Sequence, residues 1–281
     1  MDKQIELGLI NTLKIDRTSD HGLFLVAEDG DDILLPKIYV TDAMEIGNDL
    51  EVFVYTDSED RYVATTQRPK AMLNEFAYME VVDVTTFGAF IDWGLPKDLF
   101  VPKKFQKIAL EVGMKFVFRV CKDEESNRLI GAHKFKSYIR NDIEELKVNQ
   151  KVDIIIREKT PMGFKVIVDN KYEAVVFANE IFEDIWVGQK KVAYIKNIRP
   201  DKKMDVSLQP IGKENADTAV HRIQKVLAAH NGELEFTYKS EPEQIKEIFG
   251  LSKKNYKKAL TKLIEDKVIT LSEDGISLVK S

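Results

Sequence analysis

Polar and apolar positions alternate with a period near two over most of the first 210 residues and near 3.6 after Pro210. Within the alternating part, Gly22, Gly88 and Gly163 each open a short apolar or alternating run: LFLVA, AFIDW and FKVIV. A second glycine follows 25 residues after each, at Gly47, Gly113 and Gly188, and each precedes a strand-like segment: DLEVFVY, MKFVFRVC and QKKVAYI. A third such segment follows a polar turn: RYVATTQ, RLIGAHK and MDVSLQ. The same order of features thus occurs three times, with the first glycines 66 and 75 residues apart. Units of this length are too long for a solenoid repeat and suit small all-β domains. Five short strands with Gly, Asp and Asn turns predict a closed barrel of the OB type. A glycine inside a strand pattern predicts a bulge or a tight bend.

Beyond Pro210, Val220, Ile223, Val226 and Leu227 share one face of a helix, followed by a strand-like LEFTY. Ser240 with Glu243 predicts a capping box for a short helix through Phe249. Gly250 breaks it, and Ser252 can cap a longer helix to about Lys267, with Tyr256, Leu260, Leu263 and Ile264 as its buried stripe. VITLSEDGISLV predicts a hairpin with Asp-Gly in its turn. That order is the order of a winged helix-turn-helix. The expected fold is mainly β with a C-terminal α+β domain: barrels over 1–68, 69–140 and 141–211, then a winged helix over 212–281.

Composition narrows the function. The net charge is −5 and the pI about 5.6, so binding to a polyanion has to use local basic patches on an acidic body. Cys121 is the only cysteine, which excludes an intrachain disulfide and a CxxC metal site and fits a reducing cytoplasm. The N-terminal MDKQIELGLI has no apolar core of signal-peptide length, and no apolar run is long enough to span a membrane. Phosphate-loop, dinucleotide, serine-hydrolase and zinc-protease motifs are absent. The four histidines, at 21, 133, 221 and 230, lack metal-ligand spacing. These features predict a cytoplasmic binding protein with no catalytic residues, cofactor, metal, membrane partner or small-molecule substrate.

The second unit reads TTFGAFIDWG and then KDLFVPKKF. A bulge at Gly88 would bring Phe87 and Phe90 onto one face as a stacking platform, with Lys103 and Lys104 placed for phosphates. The competing reading makes each Phe a core residue. TTFGAFIDWG resembles the glycine-centred strand of the S1-like RNA-binding domain. The resemblance covers residues 1–211 as three copies. It implies an RNA face of two aromatics around the glycine, a His or aromatic on the next strand, and a late Asp–Arg pair. Carried over by position, the first copy offers His21, Phe24, Lys37, Asp57 and Arg61. The second offers Phe87, Phe90, Lys103, Asp123 and Arg128, and the third Met162, Lys165, Phe177, Arg199 and Lys203. The next-strand position falls on Leu35, Val101 and Phe177. The third copy lacks the two rings, and Arg199 stands where the acid is expected. Its segment KKVAYIKNIRPDKK suits phosphate contact or, equally, an edge strand guarded by lysines.

In the C-terminal domain, GLSKKNYKKALTK holds five lysines and no acid. Lys254, Lys258 and Lys262 recur every four residues and share a helix face. They suit phosphate contact without sequence readout, or a plain solvated or protein-docking face. Three S1-like copies and this winged helix together resemble the bacterial conserved virulence factor B family. That resemblance implies an RNA-binding regulator of virulence-gene expression. Single-stranded RNA is the expected partner. The alternatives are a DNA-binding regulator led by the winged helix, and a scaffold on the ribosome or transcription machinery.

Overall fold

The computed structural model describes residues 5–210 and 213–279. The chain ends and the expected domain junction at 211–212 lie outside the described residues. The chain folds as two compact units, 1–138 and 139–281.

The first unit holds two barrels. One is closed by β1 (Ile10–Ser19), β2 (Gly22–Val26), β3 (Asp32–Pro36), β4 (Asp49–Thr56) and β5 (Tyr62–Thr65), in the order β1-β2-β3-β5-β4 with β3 parallel to β5. The other comprises β6 (Phe76–Val84), β7 (Gly88–Asp92), β8 (Leu99–Pro102), β9 (Lys115–Lys122) and β10 (Leu129–Ala132). Its sheet order is β10-β9-β6-β7-β8, and the edge strands β8 and β10 lie against each other, so the barrel is nearly closed. The cores of the two barrels are continuous. Trp93 of the second stands edge-on to Phe53 and Tyr55 of the first, with ring centroids 5.8 and 6.4 Å apart.

The second unit begins with a third closed barrel: β11 (Lys151–Thr160), β12 (Gly163–Val168), β13 (Tyr172–Phe177), β14 (Lys190–Ile198) and β15 (Met204–Ser207). Then come α1 (Lys213–Ala229), β16 (Glu233–Leu234), α2 (Pro242–Phe249), α3 (Lys253–Glu265), β17 (Ile269–Leu271) and β18 (Ile276–Leu278). Together these form a winged helix with its own core around Ile223, Leu227, Tyr256, Leu260 and Leu263.

The repeated glycines serve two purposes. A Cβ on Gly22, Gly88 or Gly163 would lie 2.0, 2.4 or 2.0 Å from the carbonyl oxygen of Leu35, Val101 or Val176. Only glycine lets the second strand of each barrel approach the third so closely. The bulge is therefore not at Gly88. It lies in the preceding strand, between Ile15 and Arg17, Val81 and Asp83, and Ile156 and Glu158 in the three barrels. The later glycines, with φ of 94°, 86° and 93°, turn the chain so that their N–H groups donate to Ile15, Val81 and Ile156 at 2.7–2.8 Å, next to those bulges.

The C-terminal reading needs two corrections. Only Glu233–Leu234 of the LEFTY region is strand, because β18 offers it just two paired residues. Ser240 does not cap α2. Its hydroxyl accepts from Thr237 N–H at 2.8 Å, and the N-cap position is Glu241, followed by Pro242. Ser252 caps α3, its hydroxyl accepting from Asn255 N–H at 3.1 Å. The helix ends at Glu265, and the hairpin carries Asp274-Gly275 in its turn.

Candidate nucleic-acid interface

Backbone hydrogen bonds establish which residues are equivalent in the three barrels. Lys37, Lys103 and Ala178 donate to the carbonyls of His21, Phe87 and Met162. Asp57, Asp123 and Arg199 receive the chain at the last turn, their N–H groups donating to Arg61, Arg128 and Lys203 at 2.9 Å. The next-strand position shifts by one residue in two copies. Opposite Gly22, Gly88 and Gly163 stand Pro36, Pro102 and Phe177. Leu35 and Val101 are both 0% exposed and fill the barrel cores.

The second barrel gathers rings. Phe87 is 80% exposed, and Phe90 and Phe100 are half-buried. Phe90 and Phe100 are cross-strand partners with ring centroids 5.1 Å apart. The Phe100 ring reaches over Gly88, where a Cβ would meet it at 2.6 Å. All three rings line one groove of about 830 Å³, walled on its other side by Tyr55, Ser58 and Asp60 of the first barrel. Phe100 is missing from the sequence reading, because its partner Phe90 is identified only by strand register. Burial pushes the Tyr55 hydroxyl up to about 12 and the Lys97 ammonium down, since both lining groups are partly withdrawn from water. Lys97 reaches the Asp57 carbonyl at 2.5 Å.

Arg128 does not pair with Asp123. It pairs with Asp60 across the groove, while Asp123 accepts from the Ser126 hydroxyl at 2.8 Å and from Lys104 at 3.4 Å. Chiefly the Ser126 hydroxyl, and with it the nearby Lys104, holds the Asp123 carboxyl below its ordinary value. Lys103 is exposed and points into no ion pair among the described residues.

The first barrel presents less. Arg17 lies over the Phe24 ring at 4.1 Å and is itself held by Asp16 and Asp32 at 2.8 and 2.6 Å. Arg61 pairs with Asp57 at 2.7 Å, and His21 and Lys37 are exposed. On the third barrel, Met162 is exposed and Lys165 half-buried, and Lys165 faces Val175 where the second barrel has its Phe pair. Arg199 lies 5.6 Å from the Phe177 ring and pairs with Asp205 at 2.6 Å. The basic run there is largely occupied. Lys191, Lys196, Arg199 and Lys203 each hold a carboxylate.

The lysine stripe of α3 divides. Lys262 pairs with Asp217 of α1. Lys254 and Lys258 are exposed, form no ion pair among the described residues, and line a recess of about 450 Å³ beside Lys196 and Ser207 of the third barrel. The turn before α3 is docked on that barrel: Gln209 donates to the Gly250 carbonyl at 2.9 Å and accepts from Asn255 at 3.3 Å.

Two parts of the chain match known domain families. Residues 7–67 match the S1 domain family, and residues 221–278 match the CvfB-like winged helix domain. The chain is thus of the class that joins S1-type barrels to a CvfB-like winged helix, both of them nucleic-acid-binding domain types. It is a relative of the conserved virulence factor B proteins along nearly its whole length. That of Staphylococcus saprophyticus is 24% identical, aligned over 99% of this chain and 96% of its own. The protein YitL of Bacillus subtilis strain 168 is 28% identical, over 94% of this chain and 91% of its own. A crystal structure of a multidomain protein with nucleic acid binding domains from Streptococcus pneumoniae TIGR4 is 24% identical. It covers 97% of this chain and 98% of that one, with a TM-score of 0.42. Among the described residues, no helix is long and apolar enough to cross a membrane.

Proposed function

We propose that this protein binds single-stranded RNA and acts in post-transcriptional control of gene expression in the cytoplasm. The observation that carries the reading is the Phe87, Phe90 and Phe100 cluster in an open groove. Exposed rings stack on unpaired bases of any sequence, which duplex DNA does not present. Lys103, Lys254 and Lys258 add phosphate contacts that lack sequence preference. The relatives' name, conserved virulence factor B, extends the reading to virulence genes as the regulated set.

The reading led by duplex DNA requires α3 to lie in a major groove. Gln209 holds the turn before that helix and its Asn255, the side chain best suited to a base edge. The site chemistry is that of binding, so purified protein with magnesium should leave labelled RNA intact.

A fluorescence titration against single-stranded RNA, duplex RNA and duplex DNA at two salt concentrations tests the function. Tightest binding to single-stranded RNA, lost on changing Phe87 and Phe90 together to Ala, is the expected result. Preference for duplex DNA, with the double variant unaffected, would replace it with the winged-helix reading.

A further inference from the structure

The second barrel's groove is not its own. One wall comes from the end of β4 and the turn after it in the first barrel, through Tyr55, Ser58 and Asp60. The two barrels share one core, so that wall is fixed in place. Lys97 and Arg128 are the two cations lining the groove. Lys97 is committed, its ammonium donating to the Asp57 carbonyl at 2.5 Å. Arg128 stands at the rim, 57% exposed, and its guanidinium is taken by the 38% exposed carboxylate of Asp60. A carboxylate and a phosphodiester compete for the same face of a guanidinium, and Arg binds both in the same two-pronged way. An exposed ion pair is weak, and a strand held on three rings can displace it.

The geometry points to a composite binding channel in which the first barrel is wall and gate. A single-stranded nucleic acid stacks on Phe87, Phe90 and Phe100, and its backbone phosphate takes Arg128 from Asp60. The first barrel then contributes to binding through this turn rather than through Phe24, which Arg17 covers. The inference rests on the RNA-binding reading above and adds the gating role of Asp60.

Affinity for a short, fluorescently labelled single-stranded RNA of mixed sequence tests it, using the full chain and the variants Asp60→Asn, Arg128→Ala and their double. Glu124→Gln removes an exposed carboxylate from the turn that carries Arg128 and controls for general charge. Asp60→Asn should bind about two- to five-fold more tightly, the range that an exposed pair can withhold. Glu124→Gln should gain less, and Arg128→Ala should bind more weakly than wild type. In the double variant the Asp60→Asn gain should vanish. An equal gain with Arg128 absent would show mere charge relief and overturn the gate. Weaker binding by Asp60→Asn would make Asp60 a positioning residue and overturn it too. Both results leave RNA binding through the rings standing. That reading itself falls if Arg128→Ala and the double Phe variant both bind like wild type. Thermal unfolding of each variant should stay close to wild type, since the pair is exposed.

Discussion

Phe87 stands in solvent while Phe90 and Phe100 lean on each other, so truncating them separates binding from stability. Phe87→Ala should weaken single-stranded RNA binding by about 1–3 kcal/mol, the stacking value for one base. Its unfolding free energy should change by no more than about 0.5 kcal/mol, as for a surface site. Phe100→Ala should weaken binding and also lower the melting temperature, because its half-buried ring packs on Phe90. Asp123 yields a pH signature. Its carboxyl is held low by the Ser126 hydroxyl, so its contribution to stability is complete above the unfolded value of about 3.9 and is lost as pH falls through the lower folded value. Thermal unfolding of wild type and Asp123→Asn should therefore differ at neutral pH and converge only once the pH has fallen below the lowered folded value. The ring pair around Gly88 was legible in the sequence, since two aromatics flank a strand glycine. Phe100, Pro36 and Pro102 were not, because a one-residue change of register exchanges barrel interior for barrel surface. Nor could the partners of Arg128 and Lys262 be read, since Asp60 and Asp217 lie 68 and 45 residues away.

At the scale of elements, patterning located three strands of each barrel, the second, fourth and fifth, because glycines and polar turns bound them, and it left the first strands β1, β6 and β11 unplaced. It failed where local chemistry had two solutions. Ser240 has the residue type of a cap, yet Pro242 starts the helix one residue later and the hydroxyl serves the preceding turn. A recurrent signal went unread: Ser19, Thr85 and Thr160, three residues before each strand glycine, send their hydroxyls to its carbonyl at 3.0–3.2 Å. Two substitutions test the elements. Gly163→Ala puts a methyl group against the Val176 carbonyl at a φ of 140° and should cost about 1–3 kcal/mol of unfolding free energy, as overpacking does. Ser252→Ala removes the α3 cap and should cost about 1 kcal/mol. Chemical denaturation measures both. Equal stability of Gly163→Ala and wild type would mean that the strands do not need their close approach.

For the molecule as a whole, an acidic chain that binds a polyanion depends on which of its cations are unoccupied. Lys254→Ala and Lys258→Ala should each lower the slope of log affinity against log salt by about 0.7, the single-strand value per phosphate. Lys262→Ala should lower it less, since Asp217 already neutralises that charge. Wild-type slopes for both Lys254→Ala and Lys258→Ala would show that the recess beside the third barrel plays no part. The strand glycines bear on the molecule's history. Each is fixed by a clash with backbone, while the positions beside it differ freely: His21 and Phe24, Phe87 and Phe90, Met162 and Lys165. A barrel of this kind thus keeps its frame while the surface beside its glycine changes, from a His and a ring to two rings to a Met and a Lys. Scaffold and chemistry drift independently, which makes the third barrel a vacant mould: Met162→Phe with Lys165→Phe should install rings there without refolding it.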